Sequence, residues 1–326
     1  MKINRKFCVA PMLDWTDRHC RYFLRLISQH SVLYSEMITT GAILYGDTER
    51  HLAMSAQEQP VALQLGGSDP KDLAAACKIA DNYAYSEINL NCGCPSDRVQ
   101  NGMFGAVMMK NAKITADCVA AMIDATTLPV TVKHRIGVDD FDSYDFLCQF
   151  VGTVAASGCS TFLVHARKAW LQGLSPKQNR EVPELNYDRV YQLKKDFPDL
   201  EFIINGGIST LDESVTHLNN IDGVMLGREA YTNPYILSQV DRIIYGDEKP
   251  IKTREKIAEE FVEYVDNEMA KGVKLNAMTR HILGLYHGMP GARQFRRHIS
   301  ENAYKSTATI DVLINALKFT SGASTR

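Results

Sequence analysis

The clearest pattern in this sequence is a series of short apolar or β-branched runs, each closed by glycine, proline, asparagine or another polar residue. Runs of this kind are typical of strands buried in a parallel sheet. The predicted strands are Phe7–Ala10, Val32–Ser35, Val61–Leu65, Ser86–Leu90, Val130–Lys133, Thr161–Val164, Phe202–Ile204 and Gly223–Leu226. They come at intervals long enough to hold other elements between them.

Most of the intervals between the runs contain segments with helical periodicity. Asp69 followed by Pro70 has the residue types of a helix N-cap and first helical position. The predicted helices are Asp17–Ser28, Pro70–Tyr83, Thr115–Ala125, Tyr144–Ala156, Tyr187–Phe197 and Leu211–Leu218. Strands that alternate with helices in this number predict a (β/α)8 TIM barrel. A doubly wound open sheet is the alternative, but no Gly-x-Gly-x-x-Gly motif follows the first strand.

The strand pattern stops after Gly246-Asp247-Glu248-Lys249-Pro250, and only helical patterns follow. These predicted helices are Lys252–Met269, Thr279–His287, Ala292–Tyr304 and Thr309–Phe319. The sequence therefore predicts a barrel at 1-245 and a small all-helical C-terminal domain at 250-326.

Composition narrows the class of protein. The 326 residues are 45% hydrophobic and 23% charged, as is ordinary for a globular protein. No apolar run reaches the roughly 18 residues that a membrane span requires, and Phe7–Leu13 is too short for a signal peptide. The eight cysteines offer no second pair to complete a zinc site. We expect a cytoplasmic protein with reduced thiols, no metal and no membrane association.

The net charge of -2 conceals a basic C-terminal end. From Lys271 to Arg326 there are nine lysines and arginines but only two acidic residues, Glu301 and Asp311. A basic end on a nearly neutral protein suggests a polyanionic partner. A solvated helical face is an equally good interpretation of the charge alone.

If the barrel forms, the residues at the carboxyl ends of the strands line one mouth, where barrel enzymes place their chemistry. Polar and charged groups follow the apolar runs at most of these ends. In strand order the residues are Pro11-Met12-Leu13, Glu36, Gln64, Asn89 with Asn91 and Cys94, Lys133 with Arg135, His165 with Arg167, Asn205-Gly206-Gly207, and Gly227-Arg228. A purely structural barrel does not need this pattern, so the mouth is predicted to be a functional site.

Part of the chemistry of this site follows from residue types. Glycine amides and an arginine after strands seven and eight suit a phosphate, although the glycines could instead serve tight turns. Lys133 at a strand end needs a partner, and an electron-rich ring is a natural one. A Schiff-base lysine in an aldolase-like enzyme is the alternative. His165 could belong to the site or only satisfy a backbone group.

Two thiols lie in the loop after the fourth strand. Cys94 precedes Pro95, which ends the strand and lifts this thiol out of the ladder, so Cys94 is a candidate general acid. Cys92 has the character of a small filler. Spacing alone does not separate the two.

These motifs together resemble the tRNA-dihydrouridine synthase family. The resemblance is carried by Asn89-Leu90-Asn91-Cys92-Gly93-Cys94-Pro95-Ser96, Ala10-Pro11-Met12, Gln64-Leu65-Gly66, Val132-Lys133-His134-Arg135-Ile136-Gly137, Val164-His165-Ala166-Arg167, Asn205-Gly206-Gly207-Ile208 and Gly227-Arg228, in that family's order. It spans essentially the whole chain. Met12 to Arg18 and Gly173 to Pro183 are similar to the bacterial A-type subfamily.

The resemblance implies a barrel that binds FMN and a helical domain that binds tRNA. NADPH would reduce the flavin, which would give hydride to C6 of a uracil in the D-loop, at positions 20 and 20a. Cys94 would protonate C5. The implied FMN contacts are Pro11, Met12, Leu13, Gln64, Lys133, His165, Asn205, Gly206, Gly207, Gly227 and Arg228; the implied uracil and tRNA contacts are Asn91, Arg135, Arg180, Pro183, Arg293, Arg296 and Arg297. No stable protein partner is implied.

Two positions depart from the family pattern. Cys92 stands where an aliphatic residue is expected, so it could partly replace a lost Cys94. Met103 stands where a basic residue is usual. Two other functions remain open at this point: a flavin oxidoreductase acting on a free small molecule, and an RNA-binding protein built on an inactive barrel.

Overall fold

The computed structural model describes residues 3–96 and 102–320. The strands are β1 Phe7–Val9, β2 Val32–Thr39, β3 Val61–Gly66, β4 Glu87–Cys92, β5 Val130–Arg135, β6 Thr161–His165, β7 Glu201–Asn205 and β8 Gly223–Leu226. The α-helices are α1 Arg18–Ile27, α2 Thr40–Tyr45, α3 Thr48–Leu52, α4 Pro70–Ala80, α5 Ala112–Ala125, α6 Tyr144–Ala155, α7 Tyr187–Asp196, α8 Leu211–Leu218, α9 Arg228–Thr232, α10 Val240–Tyr245, α11 Arg254–Ala270, α12 Leu275–Thr279, α13 Ala292–Asn302 and α14 Asp311–Leu317. Short 3-10 turns include Gln178–Arg180 and Ile282–Gly284.

The strands form a closed parallel barrel in sequential order, with β1 paired to β8. The predicted (β/α)8 barrel is therefore confirmed. Each predicted strand corresponds to an observed one, although several extend further toward the mouth, as β2 does by reaching Thr39. These extensions carry polar residues, which apolar periodicity does not mark as strand.

The interior of the barrel is divided into an apolar and a polar part. The apolar cluster comprises Cys8, Ala10, Val32, Tyr34, Ala62, Leu163, Ile203 and Met225. The polar part comes from β3 to β5, which contribute Gln64, Asn89 and Thr131, all at most 1% exposed. Buried polar groups of this kind require hydrogen-bond partners, and the partners lie on neighbouring strands.

Helix starts follow the local sequence. Asp69 caps α4 by accepting hydrogen bonds from the backbone amides of Lys71 and Asp72, with Pro70 at the first position, as predicted. Thr210 and Glu213 form a capping box at α8.

The chain divides into two compact units, Met1–Leu13 with Val32–Gly227, and Asp14–Ser31 with Arg228–Arg326. The first contains the barrel strands. The second contains α1 and the helices from α9 onward. The predicted functional division at 1-245 and 250-326 stays a prediction.

One predicted helix, Thr279–His287, is wrong. The structure has α12 at Leu275–Thr279 and a 3-10 turn at Ile282–Gly284 instead. The backbone around Gly284 passes so close to other segments that a Cβ there would lie 2.6 Å from the carbonyl oxygen of Thr232. Tertiary contact of this kind overrides local helical periodicity. Within residues 3–96 and 102–320, no helix is both long and apolar enough to cross a membrane.

Candidate active site

The loop after β4 is held by the side chain of Asn91. Its Oδ1 accepts hydrogen bonds from the backbone amides of Gly93 and Cys94, each at 3.0 Å. Cys94 is partly exposed, and its Sγ lies 3.5 Å from Oγ of Ser96. A thiol on a fixed loop at a strand's carboxyl end can transfer a proton to a ligand in the mouth.

Cys92 occupies a different environment. It follows Asn91 in β4, so its side chain points to the opposite face of the sheet. It is fully buried, and burial raises its thiol pKa well above the ordinary value. These observations favour Cys92 as a packing residue.

Arg135, at the end of β5, holds two mouth loops together. Its Nε donates to the carbonyl of Gly93 at 2.9 Å, and Nη1 donates to the carbonyls of Lys168 and Asn179, each at 2.9 Å. Arg135 is 3% exposed, and burial lowers its pKa to about 10. This guanidinium therefore fixes the Cys94 loop to the loop after β6.

Lys133 and Asn205 are brought together across the barrel. Nζ of Lys133 donates to Oδ1 of Asn205 at 3.2 Å, while Nδ2 of Asn205 donates to the carbonyl of Met225 at 2.8 Å. The desolvation of the lysine lowers its pKa to about 7, with a further lowering from Arg135. Lys133 is thus a cation that titrates near neutrality, and the chemistry of a nucleophilic amine is also open to it.

His165 packs directly against the glycine turn after β7. A Cβ on Gly206 would lie 2.7 Å from Cδ2 of His165. Gly206 and Gly207 both have positive φ angles, 116° and 74°, and Tyr187 donates its hydroxyl to the carbonyl of Gly206 at 2.7 Å. Desolvation, together with Arg135 and Lys133, lowers the pKa of His165 well below its ordinary value, so its imidazole is neutral.

The positive φ angles, the contact of Gly206 with His165 and that of Gly207 with Leu185 explain these two glycines without a ligand. A phosphate role for them remains a prediction. Gly227 is different, because a Cβ there would make only ordinary contacts, 3.8 Å from Cβ of Ala10 and 4.0 Å from Sδ of Met12.

The remaining predicted cofactor contacts are at the ends of β1 and β8. Pro11 and Met12 are partly exposed, and Leu13 is 63% exposed. Arg228 begins α9 and is exposed.

The loop after β6 is ordered by Asn179, which sequence reasoning missed. This asparagine is fully buried, accepts from the amide of Trp170 at 2.7 Å, and donates to the carbonyls of Trp170 and Leu174. Its neighbour Arg180 is exposed, whereas Pro183 is buried and accepts a hydrogen bond from Arg167. An asparagine that closely follows Gly173, Ser175 and Pro176 is a turn signal that could have indicated this role.

The basic helix α13 belongs to the second unit. Arg293, Arg296 and Arg297 are exposed, while Phe295 and Ile299 are buried. Arg297 pairs with Glu301 at 2.7 Å. Arg293 and Arg296 form no ion pair with any acidic side chain that the structure describes. The three arginines therefore share one solvent-facing side of the helix, as their spacing predicts.

Comparison with known proteins finds the same family by a family model and by similar sequences. Residues 8–321 match the family model described as dihydrouridine synthase (Dus). The chain is 59% identical over 314 residues to the tRNA-dihydrouridine(20/20a) synthase of Escherichia coli (strain K12), covering 96% of this chain and 91% of that protein. It is 58% identical over 318 residues to the protein of the same name in Yersinia pestis, covering 97% and 92%.

A solved structure of 2-naphthoyl-CoA reductase in complex with 2-naphthoyl-CoA is similar in fold, with a TM-score of 0.58 and 10% sequence identity. The match covers 74% of this chain and 51% of that one. At this identity the likeness concerns the fold alone.

Proposed function

Because the chain belongs to the dihydrouridine synthase family, we propose that it reduces uridine to 5,6-dihydrouridine in the D-loop of tRNA, at positions 20 and 20a. FMN is the proposed cofactor and NADPH the reductant. With tRNA as substrate, the cytoplasm is the proposed location.

The observation that carries this proposal is the fixed loop of Cys94. Asn91 holds the loop through two backbone amides, and Arg135 holds it through the carbonyl of Gly93. Lys133 is the direct cross-strand neighbour of Asn91. The proton donor in the loop after β4 and the cationic amine on β5 therefore lie at the same end of the barrel.

The residues at the mouth fit FMN. An ammonium has three donors, and Lys133 directs one of them to Asn205, so a further donor can meet the electron-rich edge of a flavin ring. The proposed ring contacts are Pro11, Met12, Leu13, Gln64, Lys133 and His165. The proposed contacts at the turns after β7 and β8 are Asn205, Gly206, Gly207, Gly227 and Arg228.

When bound, FMN would supply hydride to C6 of the uracil. Cys94 supplies the proton: its S–H bond breaks as a C–H bond forms at C5, and the thiolate regains a proton from solvent. Asn91 and Arg135 hold the loop so that this thiol stays in place while the base is bound.

The base must leave its loop to reach a barrel mouth, so affinity for the RNA must come from contacts elsewhere. The exposed arginines Arg293, Arg296 and Arg297 are proposed to contact phosphates. Arg180 and Pro183, in the loop after β6, are proposed to contact the tRNA near the base.

The test has two steps. The purified protein is examined for flavin absorbance, then denatured, and the released ligand is identified. It is next incubated with NADPH and tRNA that lacks dihydrouridine, and mass spectrometry of RNA fragments locates any nucleotide that gained two hydrogens. A colourless protein that cannot be reconstituted with FMN would contradict the proposal that FMN is the cofactor. A flavoprotein that reduces small enones but no tRNA would contradict the proposal that tRNA is the substrate.

A further inference from the structure

A continuous row of hydrogen-bonded side chains connects a buried carboxylate to the Cys94 loop. Thr131 donates from Oγ1 to Oε1 of Glu87 at 2.6 Å, and Asn89 donates from Nδ2 to Oγ1 of Thr131 at 2.8 Å. Gln64 then donates from Nε2 to Oδ1 of Asn89 at 2.8 Å. Asn91 continues the row by donating from Nδ2 to Oε1 of Gln64 at 2.8 Å.

These five residues, Glu87, Thr131, Asn89, Gln64 and Asn91, are called the polar row below. The row ends where Oδ1 of Asn91 accepts from the amides of Gly93 and Cys94. Every bond in it is donated in the same direction, from the mouth toward the carboxylate. All five side chains are at most 9% exposed.

The two ends of the polar row require this direction. Nε of Arg5 donates to Oε2 of Glu87 at 2.7 Å, and the carboxylate of such an ion pair can only accept hydrogen bonds. At the other end, the backbone amides of Gly93 and Cys94 can only donate. Reversing the amides between them would place the NH2 group of Asn91 against two N–H donors.

We infer that Glu87, Thr131 and Asn89 are positioning residues for the proposed reaction, because the polar row that they form fixes the amide orientations of Gln64 and Asn91 and thereby the loop that carries Cys94. This inference rests on the proposed function. None of the three needs to touch the substrate. Their effect reaches the Cys94 thiol through Gln64, a proposed cofactor contact, and Asn91, a proposed substrate contact.

The fixed direction also determines what Asn91 can offer to a bound base. Its carbonyl oxygen is used by two amides, so only the second hydrogen on Nδ2 remains. A donor suits a carbonyl oxygen, such as those of uracil, and opposes an amino group, such as that of cytosine.

The experiment compares Thr131→Val with Thr131→Ser in the FMN-loaded enzyme. Valine has nearly the shape of threonine but can neither accept from Asn89 nor donate to Glu87. Serine keeps the hydroxyl.

Two rates are measured separately: reduction of the flavin by NADPH, and single-turnover formation of dihydrouridine by the reduced enzyme. Thr131→Val should slow the second rate about tenfold or more, because the loop of Cys94 is then held less firmly in the reactive geometry, and should slow the first by a smaller factor, since Gln64, a proposed flavin contact, also belongs to the polar row. Thr131→Ser should form dihydrouridine at close to the wild-type rate.

Tyr34→Phe is the matched control. The hydroxyl of Tyr34 donates to the same oxygen of Glu87 at 2.7 Å, so this variant also removes a buried hydrogen bond but leaves the polar row intact. It should form dihydrouridine at the wild-type rate. Equal slowing in Tyr34→Phe and Thr131→Val, or equal slowing of both rates in Thr131→Val, would overturn the inference in favour of general destabilisation.

If Thr131→Val does not fold, Glu87→Gln provides the second variant. Arg5 keeps Glu201 as a partner, with Nη1 2.8 Å from Oε2. Glutamine can donate to Thr131, so the row loses its fixed direction and the same selective slowing is expected. A wild-type rate of dihydrouridine formation in Glu87→Gln would contradict the inference. Failure of the proposed function is distinct, because the wild-type enzyme would then form no dihydrouridine.

Discussion

Gly206 and His165 are in such close contact that a β-carbon on the glycine would lie 2.7 Å from Cδ2 of the imidazole. Gly206 also has a φ angle of 116°, which L side chains rarely adopt. The position of the ring and the shape of the turn after β7 therefore depend on each other. Any side chain at 206 must both strain the backbone and displace His165.

We predict that Gly206→Ala lowers the stability of the protein and its FMN content. Backbone strain should cost about 1–2 kcal/mol, and the forced contact should add about 1–3 kcal/mol. Gly173→Ala is the control, since Gly173 has a φ angle of 80° but a β-carbon there would have no other atom within 4 Å. Denaturant unfolding and flavin content check both. Equal decreases in the two variants would refute a role for the contact with His165.

Lys133→Met is predicted to make the apoprotein more stable but to weaken its binding of FMN. The pKa of Lys133 is lowered from 10.5 to about 7, so between these two values the unfolded chain binds more protons than the folded one. The lysine therefore destabilises the apoprotein fully below pH 7, and this effect disappears as the pH rises toward 10.5. Lys133→Met should stabilise the apoprotein most at or below about pH 7, by less at higher pH, and should weaken FMN binding.

The measurement is urea unfolding of the apoprotein between about pH 6 and about pH 10, together with FMN titration. A stability difference between Lys133→Met and wild type that does not vary with pH would show that the folded protein does not perturb this lysine. Unchanged FMN affinity would remove Lys133 from the cofactor site.

The exposed arginines of α13 are predicted to act on RNA alone. Arg293→Gln with Arg296→Gln should raise the KM for tRNA and make binding less dependent on salt. The slope of log K against log salt should fall by about 0.7–0.9 for each phosphate that the variant no longer neutralises. Flavin reduction by NADPH should not change.

A charge-matched control is available on α11 and the segment before it. Lys252 and Lys256 pair with Glu260 and Glu259, at 2.6 and 2.9 Å. Replacing both by glutamine removes the same charge from a part of the surface rich in carboxylates and should leave the KM for tRNA unchanged. If the two double variants weaken tRNA binding equally, the effect comes from the net charge of the protein and not from a specific contact of α13 with the RNA.

The barrel was predictable because its strands are buried on both faces and read as apolar runs. The row of polar strand ends likewise indicated the mouth, since parallel strands bring their carboxyl ends together. Thr131 and Glu87 were not recognised, although Thr131 lies two residues before Lys133 and therefore faces the same way. Nothing in the sequence shows which polar side chains meet across strands until the register is known.

The helices from 228 to 245 and the segment 275–287 were predicted poorly or not at all. Their boundaries depend on close approaches such as that of Gly284 to Thr232, which local periodicity does not contain. The different burial of Cys92 and Cys94 also required the structure. Cys92 and Cys94 are two residues apart, so in a continuous strand they would share one face of the sheet. Because β4 ends at Cys92, only Cys92 belongs to the strand.

The most direct test of the account is single-turnover reduction of tRNA by Cys94→Ala, with Cys92→Ala as the control. Both reduced flavoproteins are mixed with tRNA that lacks dihydrouridine, and its formation is followed over time. We expect Cys94→Ala to bind FMN and accept hydride from NADPH but to form no dihydrouridine, while Cys92→Ala reacts at the wild-type rate. Full activity in Cys94→Ala, or loss of activity in Cys92→Ala with FMN still bound, would contradict the assignment of Cys94 as the acid.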